Sequence, residues 1–108
     1  MARESLGEFE QRVLLAMLHL GGATYSAPIV LELEARSDRK VAPASVYIAL
    51  RRMEKRGFLE SVLEQPERQI GGRGKRVFTI MPAAVEKLRA SRRELERLWE
   101  GLDPVFMG

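Results

Sequence analysis

Val46-Tyr47-Ile48-Ala49-Leu50-Arg51-Arg52-Met53-Glu54-Lys55-Arg56-Gly57-Phe58-Leu59 is the stretch whose reading decides the fold. Val46, Leu50 and Met53 recur at i, i+4 and i+7, the spacing that lines one side of an α-helix with apolar groups. Pro43 suits the first turn of that helix because its φ is already helical, and Gly57 suits its end. Past Gly57 the period shortens. Phe58 to Gln65 and Arg76 to Ile80 read as two strands, the second carrying the β-formers Val77, Phe78, Thr79 and Ile80. Between them, Pro66 to Lys75 holds Gly71, Gly72 and Gly74 and is too long for a tight turn, so a mobile loop is predicted there.

Working outward, Leu6, Phe9, Val13, Met17 and Leu20 predict a helix over 6–20 that closes at Gly21-Gly22. Ser26 is a candidate cap for a second helix, with Pro28 in its first turn and Ile29 and Leu33 facing inward. Its pattern dissolves in the charged turn Arg36-Ser37-Asp38-Arg39-Lys40. After the hairpin, Pro82 starts a last helix that runs to about Leu102, where Asp103-Pro104 stops it. The order is helix, helix, helix, hairpin, helix. That is a mainly α fold with a small β-hairpin, a winged helix-turn-helix followed by a C-terminal helix.

A chain of 108 residues supports one modest core. Hydrophobic residues at 45% and charged residues at 31% place it among ordinary globular proteins and not disordered ones. The absence of cysteine excludes disulfides and thiolate chemistry. No apolar run approaches a membrane span and the first residues lack the apolar core of a secretion signal, so a cytoplasmic protein with no membrane partner is expected. The net charge of +3 is unevenly spread. Residues 1–35 hold two Lys/Arg against five Asp/Glu, residues 36–76 eleven against five, and residues 77–108 five of each. An anionic partner would therefore meet the middle third.

With Val46, Leu50 and Met53 facing the core, a helical wheel turns Ile48, Arg51, Arg52 and Lys55 outward. Ala44, Ser45 and Tyr47 accompany them near the helix start. A helix in a DNA major groove needs cationic groups for phosphates and guanine edges, and small or apolar groups for thymine methyls. This face offers both. Ala44, Ser45 and Ile48 lie at the end that reads bases, whereas Arg51, Arg52 and Lys55 are better placed for phosphate. A solvated amphipathic helix would satisfy the same pattern. The hairpin loop adds Arg68, Arg73, Lys75 and Arg76 among its glycines, a second cationic element on the same side. Gly71-Gly72-Arg73-Gly74-Lys75-Arg76 lacks the spacing of a nucleotide-binding P-loop and leads into a strand instead of a helix.

These residues resemble the PadR-like transcriptional regulators over roughly 6–90. Leu6-Gly7-Glu8-Phe9-Glu10 to Leu20-Gly21 is similar to the family's opening helix, and Tyr25-Ser26-Ala27-Pro28-Ile29 to its Tyr-Gly-x-x-Ile segment with Ser26 in place of glycine. The 46–59 stretch resembles the recognition-helix signature, and Gly71-Gly72-Arg73-Gly74-Lys75-Arg76-Val77-Phe78 the wing. Val77 departs from the first wing aromatic, Met81 from a capping threonine and Ala84 from a usual glycine. The resemblance implies a homodimer on an inverted-repeat operator in double-stranded DNA. It further implies repression, dimerisation through the C-terminal helix and a small aromatic ligand as effector. DNA contacts are then expected from Ala44, Ser45, Tyr47, Ile48, Arg51, Arg52, Lys55, Arg73, Lys75 and Arg76. Residues 1–81 form the DNA-binding domain and 82–108 the dimerisation helix and tail.

The last helix supports this reading independently. Leu88, Leu95 and Leu102 fall seven residues apart, with Val85, Arg92, Trp99 and Phe106 in the other seam position. Val85, Leu88, Leu95, Trp99 and Leu102 are the expected dimer interface, although packing on the helix's own domain would use the same pattern. Trp99, the only tryptophan, is either an interface anchor or one wall of an effector pocket. His19, the only histidine, lies at a helix end and has no metal-ligand spacing around it. No metal or cofactor is expected, and no serine is paired with a base in a recognisable order, so an enzyme is not expected either. The alternative function is a winged-helix module for protein interaction or RNA binding without operator recognition.

Overall fold

The computed structural model describes residues 5–64 and 74–102. The element order is α1 (Glu8–His19), β1 (Ala23–Thr24), α2 (Ser26–Ser37), α3 (Pro43–Lys55), β2 (Leu59–Glu64), β3 (Lys75–Ile80) and α4 (Pro82–Trp99). The mainly α winged arrangement is as expected, with one strand more than the sequence pattern showed. Most of the expected loop, including Arg68, Gly71, Gly72 and Arg73, lies outside the described residues.

The three helices enclose a core that the hairpin closes from one end. Val13, Leu14, Ala16 and Met17 come from α1, Ile29 and Leu33 from α2, and Val46, Ala49, Leu50 and Met53 from α3. The fully buried Phe78 and nearly buried Phe58 and Leu59 bring the sheet into the same cluster. On α3 the buried stripe is the expected one with Ala49 added. On α1 the expected Val13 and Met17 are fully buried and Leu6 and Leu20 pack against the core, Leu14 and Ala16 widen the stripe, and Phe9 remains 36% exposed. Glu10, not an apolar group, secures the start of that helix by accepting a bond from the Gly7 N–H at 2.9 Å.

The sheet order is β1-β3-β2, all antiparallel. Two residues are too few to show a period, which hid β1 from sequence reading. Its position is set by Gly21 and Gly22, at φ +98° and +91°, a left-handed turn that costs glycine little. The Gly22 carbonyl then accepts from the Ile80 N–H at 2.9 Å. Pairing of Thr24 with Phe78 carries the extended backbone through Tyr25. Helix α2 then begins one residue earlier than the capping argument required, with Tyr25 in the cap position. Ser26 is its first helical residue, and no side chain caps it.

In the hairpin, Leu59 pairs with Ile80, Ser61 with Phe78, and Glu64 with Lys75. Lys75 thus belongs to the strand and not to the loop. Helix α4 ends at Trp99, short of the expected Leu102, because Gly101 takes φ +81° and turns the chain away. The stop at Asp103-Pro104 lies outside the described residues. No helix among the described residues is long and apolar enough to cross a membrane.

Candidate nucleic-acid interface

Burial of Val46, Ala49, Leu50 and Met53 fixes the rotation of α3 and leaves Ala44, Ser45, Tyr47, Ile48, Arg51, Arg52 and Lys55 exposed together. Ile48, 54% exposed, is the large aliphatic member of that set. The side chains of Arg52 and Lys55 make no hydrogen bond or ion pair among the described residues.

Ser45 lies where two surface clefts meet. One is lined by Phe9, Arg12, Arg39 and Lys40, the other by Ile48, Ala49 and Arg52. Arg39 and Lys40 are thus brought beside the start of α3, and neither has a protein partner among the described residues. Sequence reading treated them only as part of a polar turn. The Asp38 backbone at φ 64° reverses the chain there and places the two cations against the next helix.

Arg51 differs from its neighbours. Its Nη1 donates to the Tyr47 hydroxyl at 3.0 Å, and its Nε lies 3.2 Å from Glu54 Oε1. The Tyr47 hydrogen bond first, with the Glu54 charge adding to it, holds the guanidinium above its ordinary range. Both partners are themselves held. The Tyr47 ring meets buried Phe78 edge-on at 6.1 Å between centroids. Glu54 Oε2 accepts from Ser61 Oγ at 2.6 Å. Ser61 Oγ in turn accepts from Arg76 Nη1 at 2.9 Å. A polar chain therefore runs from α3 through β2 to β3.

That chain changes the picture of the wing base. Arg76 is half-buried and turned onto Ser61, while Lys75 is exposed with its Nζ 4.3 Å from the Tyr25 ring centroid. Arg73 lies outside the described residues. Glu54, Ser61 and Tyr25 were missed by sequence reading. The i, i+3 spacing of Arg51 and Glu54 was a visible signal, but nothing in the sequence linked Glu54 to Ser61.

At the other end of the molecule the expected seam divides. Ala84 and Leu88 of α4 are buried in the chain's own core and Val85 is half-buried. Beyond them Leu95, Leu98 and Trp99 are 56%, 66% and 52% exposed, and Leu102 sits in the turn after the helix. Leu95 and Trp99 border an open groove of about 860 Å³ whose other wall is Leu15 and Leu18 of α1.

No protein-family model matches the sequence, and no curated protein is significantly similar to it. Solved structures do match. A PadR-like transcriptional regulator from Bacillus cereus superposes with TM-score 0.69 at 18% identity, over 93% of this chain and 92% of that one. A PadR family transcription regulator from Clostridium difficile gives 0.66 at 20% identity, over 91% and 98%. F93 from STIV, described as a winged-helix DNA-binding protein, gives 0.67 at 10% identity, over 90% and 98%. The likeness is one of fold: this chain is a winged helix, built on the same plan as PadR-type regulators.

Proposed function

We propose that the chain is a PadR-like, cytoplasmic, sequence-specific regulator that binds double-stranded DNA through α3 and the wing. It acts as a homodimer on an inverted-repeat operator, as a repressor released by a small aromatic ligand. It is a binding protein and not an enzyme.

One observation carries the DNA reading. Arg39, Lys40, Arg52 and Lys55, all exposed, share α3 and the turn that leads into it, and their side chains have no ion-pair partner among the described residues. Cations left open together on one helix and its lead-in turn are available to phosphates. The exposed Ala44, Ser45 and Ile48 among these cations match what base edges require.

The test is binding to duplex DNA from the region upstream of the protein's own gene, against random duplex and over a range of salt. Affinity should fall with salt at a log–log slope of about −0.9 per phosphate neutralised. Arg52→Ala should reduce that slope by about 0.9. Equal affinity for both duplexes would sink operator recognition and favour a winged helix with a protein or RNA partner.

A further inference from the structure

We propose that Arg51 is a base reader and not a phosphate contact, and that Tyr47 and Glu54 are the positioning residues that aim it at a guanine edge. The inference rests on the DNA-binding reading above and concerns which atoms of the duplex each cation meets.

Three observations separate Arg51 from Arg52 and Lys55. The first is order. Arg51 is gripped at Nη1 by the Tyr47 hydroxyl and at Nε by Glu54, which leaves Nη2 and the second Nη1 proton unengaged among the described residues. Those atoms suffice for a two-pronged donor, the arrangement that guanine O6 and N7 accept. The second is charge. Glu54 sits against Arg51, and an incoming phosphate would meet that carboxylate as well as the guanidinium. A guanine edge is neutral and suffers far less from it. The third is position. The bond to Tyr47, one turn back, directs the Nη end of the guanidinium toward the start of α3, while its Nε faces Glu54. That end of a recognition helix is the one that meets bases.

The supports of Arg51 are also ordered, which a casual surface ion pair would not require. Tyr47 is fixed against Phe78, and Glu54 is fixed by Ser61, whose hydroxyl is held by Arg76. Arg76 therefore contributes to reading through Ser61 and Glu54. A long side chain that is ordered before binding discriminates between bases, because a misplaced acceptor cannot be followed by a change of rotamer. Arg52 and Lys55, with no such supports, suit the tolerant geometry of phosphate oxygens.

The experiment starts from a pool of randomised duplexes, from which the full-length chain selects its preferred site. Affinity for the selected duplex and for its scrambled counterpart is then measured against salt for the parent and five variants, Arg51→Lys, Arg51→Ala, Arg52→Ala, Glu54→Gln and Tyr47→Phe. Arg51→Lys keeps the charge and loses the fork. It should lower the selected-over-scrambled ratio roughly ten- to a hundredfold and leave the salt slope unchanged. Glu54→Gln should lower the ratio while binding to scrambled duplex holds or tightens. Tyr47→Phe, which removes one hydroxyl, should lower the ratio in the same direction and guards against misfolding of the other variants. If Arg51→Lys discriminates as the parent does, or if Arg51→Ala costs the same slope as Arg52→Ala with the ratio intact, Arg51 is a phosphate contact and the proposal is overturned. If the parent itself selects no site, the DNA-binding reading fails first and this proposal falls with it.

Discussion

Glu10 holds a near neighbour and a distant residue at once. Its Oε1 accepts from the Gly7 N–H and from Arg56 Nη1, at 2.9 and 3.1 Å, and Arg56 Nη2 also donates to the Ser5 carbonyl at 2.6 Å. Both side chains are largely shielded, at 12% and 24% exposure, so this pair is worth more than a surface ion pair. Glu10→Gln preserves size and removes the charge that the guanidinium faces. It should cost about 1–3 kcal/mol, read as a lower urea midpoint with an unchanged m-value. An unchanged midpoint would show that solvent replaces the carboxylate without loss. Neither this contact nor the link from Glu54 to Ser61 was legible in the sequence, since no local spacing relates residues 46 positions apart or residues in different elements. The outward set on α3 was legible because each member follows from the helical angle to Val46. What the wheel could not show is that one member, Arg51, is tied down while Arg52 and Lys55 are not.

At the scale of the element, α3 offers a sharp internal contrast. Met53 is fully buried and Lys55, two residues on, is exposed. Met53→Ala should destabilise by about 2–5 kcal/mol, and Lys55→Ala by no more than about 0.5 kcal/mol, in the same urea titration. Comparable losses from both would mean that the helix is rotated relative to its partners. The turn before α3 supplies another test: replacing Arg39 and Lys40 together with Ala should weaken binding to any duplex and flatten its salt dependence, with stability retained. Persistence of the parent slope would remove the turn from the interface. Gly22→Ala should destabilise by about 1–2 kcal/mol because φ +91° is strained for any side chain, although its Cβ would meet Ile80 only at ordinary contact distance. The helices were legible wherever a stripe ran for several turns. Strand β1 and the end of α4 were not, because a two-residue strand has no period and a positive-φ glycine outweighs a leucine that continues the pattern.

For the whole molecule, the decisive feature is that α4 belongs to the core for its first two turns and then leaves it. Leu95 and Trp99, facing Leu15 and Leu18 across an open groove, together with exposed Leu98, are more apolar surface than a monomer ordinarily leaves bare. A dimer is therefore expected by sedimentation, and Leu95→Glu combined with Trp99→Ala should give a monomer whose circular dichroism still shows a folded winged domain. A parent that sediments as a monomer would remove the dimer from the proposal. Planar aromatic compounds that enter the groove should shift Trp99 emission, and unchanged emission across a broad panel at saturation would count against an effector there. The heptad spacing announced this helix but could not tell which leucines their own domain already covers. The contact of Arg56 with Glu10 and Ser5 has a last consequence, for the route by which the chain folds. It joins segments that loop-closure entropy keeps apart until α1 has docked on α3, and it is expected to form after the rate-limiting barrier. Glu10→Gln should then steepen spontaneous opening, raising the unfolding rate and scarcely changing the folding rate in stopped-flow measurements. Slowing of the folding limb by a similar factor would place that stitch among the earliest contacts instead of the last.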